Sequence, residues 1–184
     1  GFCTRREEAW QRLLPALTPE LPRIVLGAEL AYYRGVSQMQ QLSRFCIGGS
    51  RLLLLELPFE PWSERVLSET LEIAERGFTV VLAHVERYFS LQGRSIWPWL
   101  AERGIQMQVN ASSLLRLSSA GRAGRMLRQG TVRFLASDCH NLNIRPPRMG
   151  EAAAKLEKRF GPAFAAEFFR AEEALWQEGC VPDA

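Results

Sequence analysis

Five short apolar runs, spaced roughly every 26 residues, constrain the fold of this chain more than any other feature. They are Arg23–Leu30 (R-I-V-L-G-A-E-L), Arg51–Leu57 (R-L-L-L-L-E-L), Phe78–Ala83, Ile105–Asn110 (I-Q-M-Q-V-N) and Val132–Ala136. Each has the length and apolar content of a buried strand. Helical signals fill the gaps. Ser63 is placed to cap a helix through Arg76, with Val66, Leu67, Thr70, Leu71 and Ile73 in helical spacing and Gly77 as the stop. Ser95–Arg103 and Arg116–Gln129 read as further helices, each followed by glycine. Two more, Glu151–Phe160 and Pro162–Glu178, close the pattern, and the tail Gly179–Ala184 is expected to fray. At the other end Thr4–Leu17 reads as a helix, with Thr4 as N-cap and Glu7 completing a capping box.

Alternation of strand and helix implies an α/β fold with a parallel sheet. Five strands are too few for a closed barrel of about eight. The chain is therefore either an open doubly wound sheet or a barrel whose N-terminal strands are absent. A length of 184 residues, with 47% hydrophobic and 23% charged content, suits one domain over residues 1–184. No run approaches the roughly 20 apolar residues of a membrane span. The start, G-F-C-T-R-R, is charged, so a signal peptide is not expected. The net charge of +3 is mild and the arginines are scattered, which argues against a nucleic-acid surface. Cys3, Cys46, Cys139 and Cys180 show no metal-binding spacing, as in a reduced, cytoplasmic protein.

The carboxyl ends of the expected strands carry the chemistry. In order they present Glu29, Glu56, His84, Asn110, and Asp138 with His140. The chain has only 2 histidines, and both stand just past a strand beside acids and arginines. A single carboxylate after a strand is ordinarily a solvated loop residue, and a lone histidine ordinarily packs or caps. The full set argues otherwise, because α/β folds place ligands at the carboxyl ends of strands. Carboxylate oxygen with imidazole nitrogen suits zinc, manganese or iron. Arg87 and Arg145 each lie within a few residues of a histidine and suit the non-bridging oxygens of a phosphoryl group. Together they read as metal-assisted phosphoester hydrolysis. Cys139 to Arg145 also has the Cys-x5-Arg spacing of thiolate phosphatases. The loop H-N-L-N-I has no glycine, Pro146-Pro147 follows, and Asp138 would raise the thiol pKa. Cys139 is read as a small buried cysteine instead.

The segments G-A-E-L (27–30), L-L-L-L-E-L-P-F (52–59), L-A-H-V-E-R-Y (82–88), Q-V-N-A-S-S-L (108–114) and A-S-D-C-H-N-L-N-I-R-P-P (136–147) resemble, in this order, one family. It is the bacterial protein tyrosine phosphatases of the PHP superfamily, of the CpsB/YwqE type, which act in capsule and exopolysaccharide biosynthesis. The resemblance covers the chain from about Arg23 to the end. It implies a distorted (β/α)7 TIM-like barrel with divalent metals at the strand ends, manganese first, with iron, zinc or magnesium as alternatives. It implies Glu29, Glu56, His84, Asp138 and His140 as metal ligands, and Arg87 and Arg145 as the groups that hold phosphate. The implied substrate is phosphotyrosine on a tyrosine autokinase. The alternatives are a small phosphomonoester such as histidinol phosphate, or a non-catalytic remnant that binds a partner. The family pattern opens with a His-x-His strand, an Asp loop and a Thr-Pro-His strand end, none of which this sequence contains. The expectation is a C-terminal portion lacking two strands and roughly 50 residues. Exposed strand edges then favour self-association into a homo-oligomer.

Overall fold

The computed structural model describes residues 1–179. Five parallel strands form one sheet: β1 (Glu29–Ala31), β2 (Leu52–Glu56), β3 (Thr79–Leu82), β4 (Gln106–Asn110) and β5 (Phe134–Ala136). Their spatial order is β1-β2-β3-β4-β5, with Leu30 beside Leu55, Leu55 beside Leu82, Leu82 beside Met107, and Val109 beside Leu135. A doubly wound sheet reverses direction at a switch point. This order has no reversal, so the described strands contain no such switch point. Among the described residues the sheet does not close into a barrel; β1 and β5 each have one neighbour.

Among the described residues seven α-helices accompany the strands: α1 (Phe2–Leu13), α2 (Glu64–Glu75), α3 (Ile96–Ala101), α4 (Ala111–Leu115), α5 (Leu117–Arg128), α6 (Met149–Phe160) and α7 (Pro162–Gly179). Ser63 caps α2, its hydroxyl accepting from the Val66 N–H at 3.4 Å. The buried side of α2 carries Val66, Thr70 and Ile73, the spacing the sequence showed. Gly77 follows at φ 82°, a left-handed conformation that only glycine adopts without strain.

Both faces of the sheet are covered, as a parallel sheet requires. On one face Leu53, Leu55, Val80, Leu82, Met107 and Val109 join the main core with residues from α2 through α6 and with Ala165 and Phe168 from the first half of α7. On the other, Leu52, Val81 and Phe134 pack against Leu175 and Trp176 of α7. Alternation along β2, β3 and β5 thus turns Leu52, Val81 and Phe134 to the face that Leu175 and Trp176 cover.

Three local expectations are corrected. Of the first apolar run only Glu29 and Leu30 pair as strand, with Ala31 just past it, so Glu29 begins β1 rather than ending it. Ile24 and Val25 are exposed; an edge strand has a single neighbour, and no ladder bond extends the pairing back to them. Thr4 does not cap α1: the helix starts at Phe2, makes no side-chain cap bond and buries no residue. Amphipathic spacing there had no core to meet. Cys139 is exposed, not buried, because it belongs to the turn after β5 rather than to the strand. The expected fraying of the tail falls, from Cys180 onward, outside the described residues.

Candidate metal and phosphate site

The strand ends bring three of the expected metal ligands together. Glu29 opens β1, Glu56 closes β2 and His84 follows β3. One ligand atom from each lies within 4.8 Å of the other two. His84 Nε2 stands 3.3 Å from Glu29 Oε1 and 3.5 Å from Glu56 Oε1. Two donors each about 2.1 Å from one ion, at a tetrahedral angle, are about 3.4 Å apart. One imidazole proton can serve only one acceptor well, yet two carboxylates face this nitrogen. Two oxygens and one nitrogen at this separation fit a divalent cation, so the donor set passes a test of chemistry and spacing.

The electrostatics follow from the contacts. The hydrogen bond to His84 is the main cause holding the Glu29 carboxyl below its ordinary pKa, against partial burial; the charges of His84, Arg87 and Arg145 act in the same direction. Arg87 Nη1 donates to Glu56 Oε1 at 2.6 Å and lies 3.4 Å from His84 Nε2. Its guanidinium sits 5.9 Å from the centre of the exposed Phe59 ring. Beneath, the Tyr88 hydroxyl donates to the Leu57 carbonyl at 2.6 Å, and burial, aided by the Glu56 charge, pushes it up to about 12. It stays a donor and fixes the end of β2.

Asp138, His140 and Arg145 form a second group after β5. Arg145 binds Asp138 Oδ2 through Nη2 and donates from Nη1 to His140 Nε2 at 3.0 Å. His140 Nδ1 is 3.6 Å from Asp138 Oδ1. Asn141 shapes the turn: its side-chain oxygen accepts from the N–H groups of Asn143, Ile144 and Arg145. Asp138 and His140 do not fall within the compact Glu29–Glu56–His84 cluster. Asp138 shares its surroundings, since Glu29, His84, Asn110 and Asp138 line one cavity of about 210 Å³.

His84 (φ 34°) and Asp138 (φ 52°) are the only non-glycine residues with positive φ among those described. Such backbone is uncommon outside glycine and collects at functional sites. Both lie where a strand ends and the chain must turn a polar side chain toward the cavity.

A buried relay joins the two groups, and the sequence reading missed its centre. Gln108 Oε1 accepts from the His84 N–H at 2.6 Å, and Gln108 Nε2 donates to Asn110 Oδ1 at 2.9 Å. Asn110 Nδ2 then donates to Asp138 Oδ2 at 2.8 Å. Glu86 closes the far side by accepting from the Asn110 N–H at 3.2 Å, and burial raises its pKa. The signal was available in I-Q-M-Q-V-N. Polar residues at 106, 108 and 110 alternate in a strand expected to be buried on both faces, which marks one face as holding polar partners. Replacing Gln108 with leucine orphans the His84 backbone N–H and the Asn110 Oδ1. The expected loss is about 2 kcal/mol, read as a lower urea midpoint at unchanged slope.

Fold and site together define a parallel α/β protein with carboxylates, imidazole and arginines gathered at its strand ends. Residues 5–175 match the family model described as capsular polysaccharide synthesis, CpsB/CapC, and the chain belongs to that family. Tyrosine-protein phosphatase CpsB of Streptococcus agalactiae serotype III (strain NEM316) is 27% identical over 157 residues, covering 80% of this chain and 65% of that protein. CpsB of Streptococcus pneumoniae is 28% identical over 156 residues, covering 79% and 64%. Tyrosine-protein phosphatase YwqE of Bacillus subtilis (strain 168) is 29% identical over 167 residues, covering 85% and 64%. The chain thus spans about two thirds of the length of these relatives, at 64% to 65%. A structure reported with those of YwqE from Bacillus subtilis and CpsB from Streptococcus pneumoniae, described as unique metal-dependent tyrosine phosphatases, superimposes with a TM-score of 0.79. It is 23% identical, and the match covers 96% of this chain and 72% of that one, which shows a shared fold.

Proposed function

We propose that this chain carries the catalytic site of a metal-dependent phosphatase acting on phosphotyrosine in proteins. The observation that supports it most is the convergence of His84 Nε2 on Glu29 and Glu56 at 3.3 and 3.5 Å with Arg87 against them. Glu29, Glu56 and His84 hold a divalent cation, manganese in first place, and Asp138 with His140 supply further ligands. When bound, the metal contributes Lewis acidity and positive charge at the phosphoryl group.

The chain's own residues do the rest. Arg87 and Arg145 turn their guanidinium groups from Glu56 and Asp138 to the non-bridging oxygens, offering paired donors where charge builds in the transition state. The Gln108–Asn110 relay keeps His84 and Asp138 in place while this exchange occurs. Tyrosine leaves as an anion whose conjugate acid has a pKa of about 10, so no strong general acid is needed. In this reading the five strands are part of a (β/α)7 barrel, the substrate is phosphotyrosine on the tail of an autokinase governing capsule or exopolysaccharide synthesis, and the enzyme is cytoplasmic and self-associating. No helix among the described residues is long and apolar enough to cross a membrane.

The test is hydrolysis of a phosphotyrosine peptide with manganese, with and without chelator, against phosphoserine peptide and histidinol phosphate at equal concentration. Chelator-sensitive release of phosphate, fastest from phosphotyrosine, is expected. Equal or faster turnover of histidinol phosphate would overturn the substrate assignment, and activity indifferent to chelator would overturn the metal.

A further inference from the structure

A second cluster of arginines lies away from the strand ends, in a groove of about 430 Å³ between α3 and α5. Arg94, Trp97, Arg122, Arg125, Gln129 and Thr131 line it, and no acidic side chain does. Arg122, Arg125 and Gln129 stand at i, i+3 and i+7 along α5 and its C-cap, so they share one stripe. Among the described residues none of the three arginines forms an ion pair.

Arg122 is held rather than free. Its Nη1 donates to the Phe89 carbonyl at 2.5 Å, and its guanidinium lies 4.3 Å from the Phe89 ring centre. Burial and the charges of Arg94 and Arg125 lower its pKa. Two residues that line the groove each carry a buried donor without an acceptor, Arg122 Nη2 and Trp97 Nε1, the latter on a residue only 2% exposed. Buried donors are almost always paired, and an orphan is costly. Two orphans beside three like charges call for the same thing, a compact anion with several acceptor oxygens.

We propose that this groove is a binding site for a tetrahedral oxyanion of the phosphate class. Arg122 Nη2 and Trp97 Nε1 give the inner hydrogen bonds, and Arg94 and Arg125 supply charge from the rim. A planar carboxylate offers two oxygens along one edge and fits such spread donors less well than a tetrahedral group. The site is independent of the strand-end chemistry and does not rest on the phosphatase assignment.

Inorganic phosphate is the probe, read by thermal unfolding of the metal-free chain in a non-coordinating buffer. At a concentration tenfold above Kd the midpoint rises by about 3–5 °C. The R87Q/R145Q variant keeps the response; the R94Q/R125Q variant, altered only at exposed side chains, loses it. Trp97→Phe keeps the ring and removes one donor, and is expected to weaken binding about tenfold. A phosphoserine peptide titrated into the R87Q/R145Q variant separates the sources. Tighter binding than inorganic phosphate supports a phosphorylated chain as the ligand, and weaker binding supports the free ion. An unchanged phosphate response in R94Q/R125Q, or no response of the R87Q/R145Q variant, overturns the proposal.

Discussion

His84→Asn is expected to reduce metal-dependent hydrolysis by more than about 100-fold, since even residues that only support a metal ligand cost 10–100-fold in metal affinity when changed. Asparagine is chosen for a physical reason. His84 sits at φ 34°, and asparagine tolerates left-handed backbone better than alanine does. The backbone N–H keeps its bond to Gln108 Oε1, so the relay toward Asp138 survives. What disappears is the one nitrogen that both Glu29 and Glu56 approach. Far-UV circular dichroism of the variant should match the parent while phosphate release falls. Parent-level turnover by a folded His84→Asn chain would remove His84 from the ligand set.

Glu172→Gln is expected to stabilise the protein at pH 8 by about 3 kcal/mol and to change little at pH 4. Glu172 lies on α7 and, with Trp176, lines the same cavity as Glu29, His84 and Asp138. Burial pushes its carboxyl to about 7 from the ordinary 4.5, only partly offset by the hydrogen bond it accepts from the Leu135 N–H. The folded state therefore keeps a proton that the unfolded state gives up between pH 4.5 and 7. Stability falls as pH rises through that window and is level above it. Glutamine still accepts from Leu135 and carries no charge, so the variant escapes the fall. Urea midpoints from pH 4 to pH 8 for both chains check this. Parallel curves would show that Glu172 is solvated, and that α7 does not seal this face.

Much of the fold was legible because it rests on local signals. Ser63, the periodic run behind it and Gly77 set α2, and β2 to β4 fall inside their expected bounds to within a residue. The failures lie where pairing decides. Ile24 and Val25 have strand composition, but whether a strand extends depends on neighbours that local sequence does not report. The amphipathic face of α1 has no partner in the described core. Strand order was likewise open, since sequence alone left two arrangements and only the ladder shows that neighbours in sequence are neighbours in the sheet.

At the site, sequence named Glu29, Glu56, His84 and Arg87, which the fold brings into contact, and Asp138, His140 and Arg145, which it brings into a separate group. The division was not visible, because it depends on how far apart β3 and β5 place their ends, with β4 between them. Gln108 escaped notice because it lies inside a strand, whereas the reading looked only at strand ends. Glu172 and Trp176 were hidden for a different reason: a long helix that folds back over a sheet face meets it through tertiary packing, and its own periodicity says nothing about which strand it covers.

The central claim is that Glu29, Glu56 and His84 hold a divalent cation, and the most direct measurement is a manganese titration followed by electron paramagnetic resonance. The six-line signal of free aqueous manganese should be suppressed until at least one equivalent is bound by the parent chain, and should appear from the first addition with His84→Asn. Identical titrations of the two chains, or no suppression by the parent, would contradict the claim.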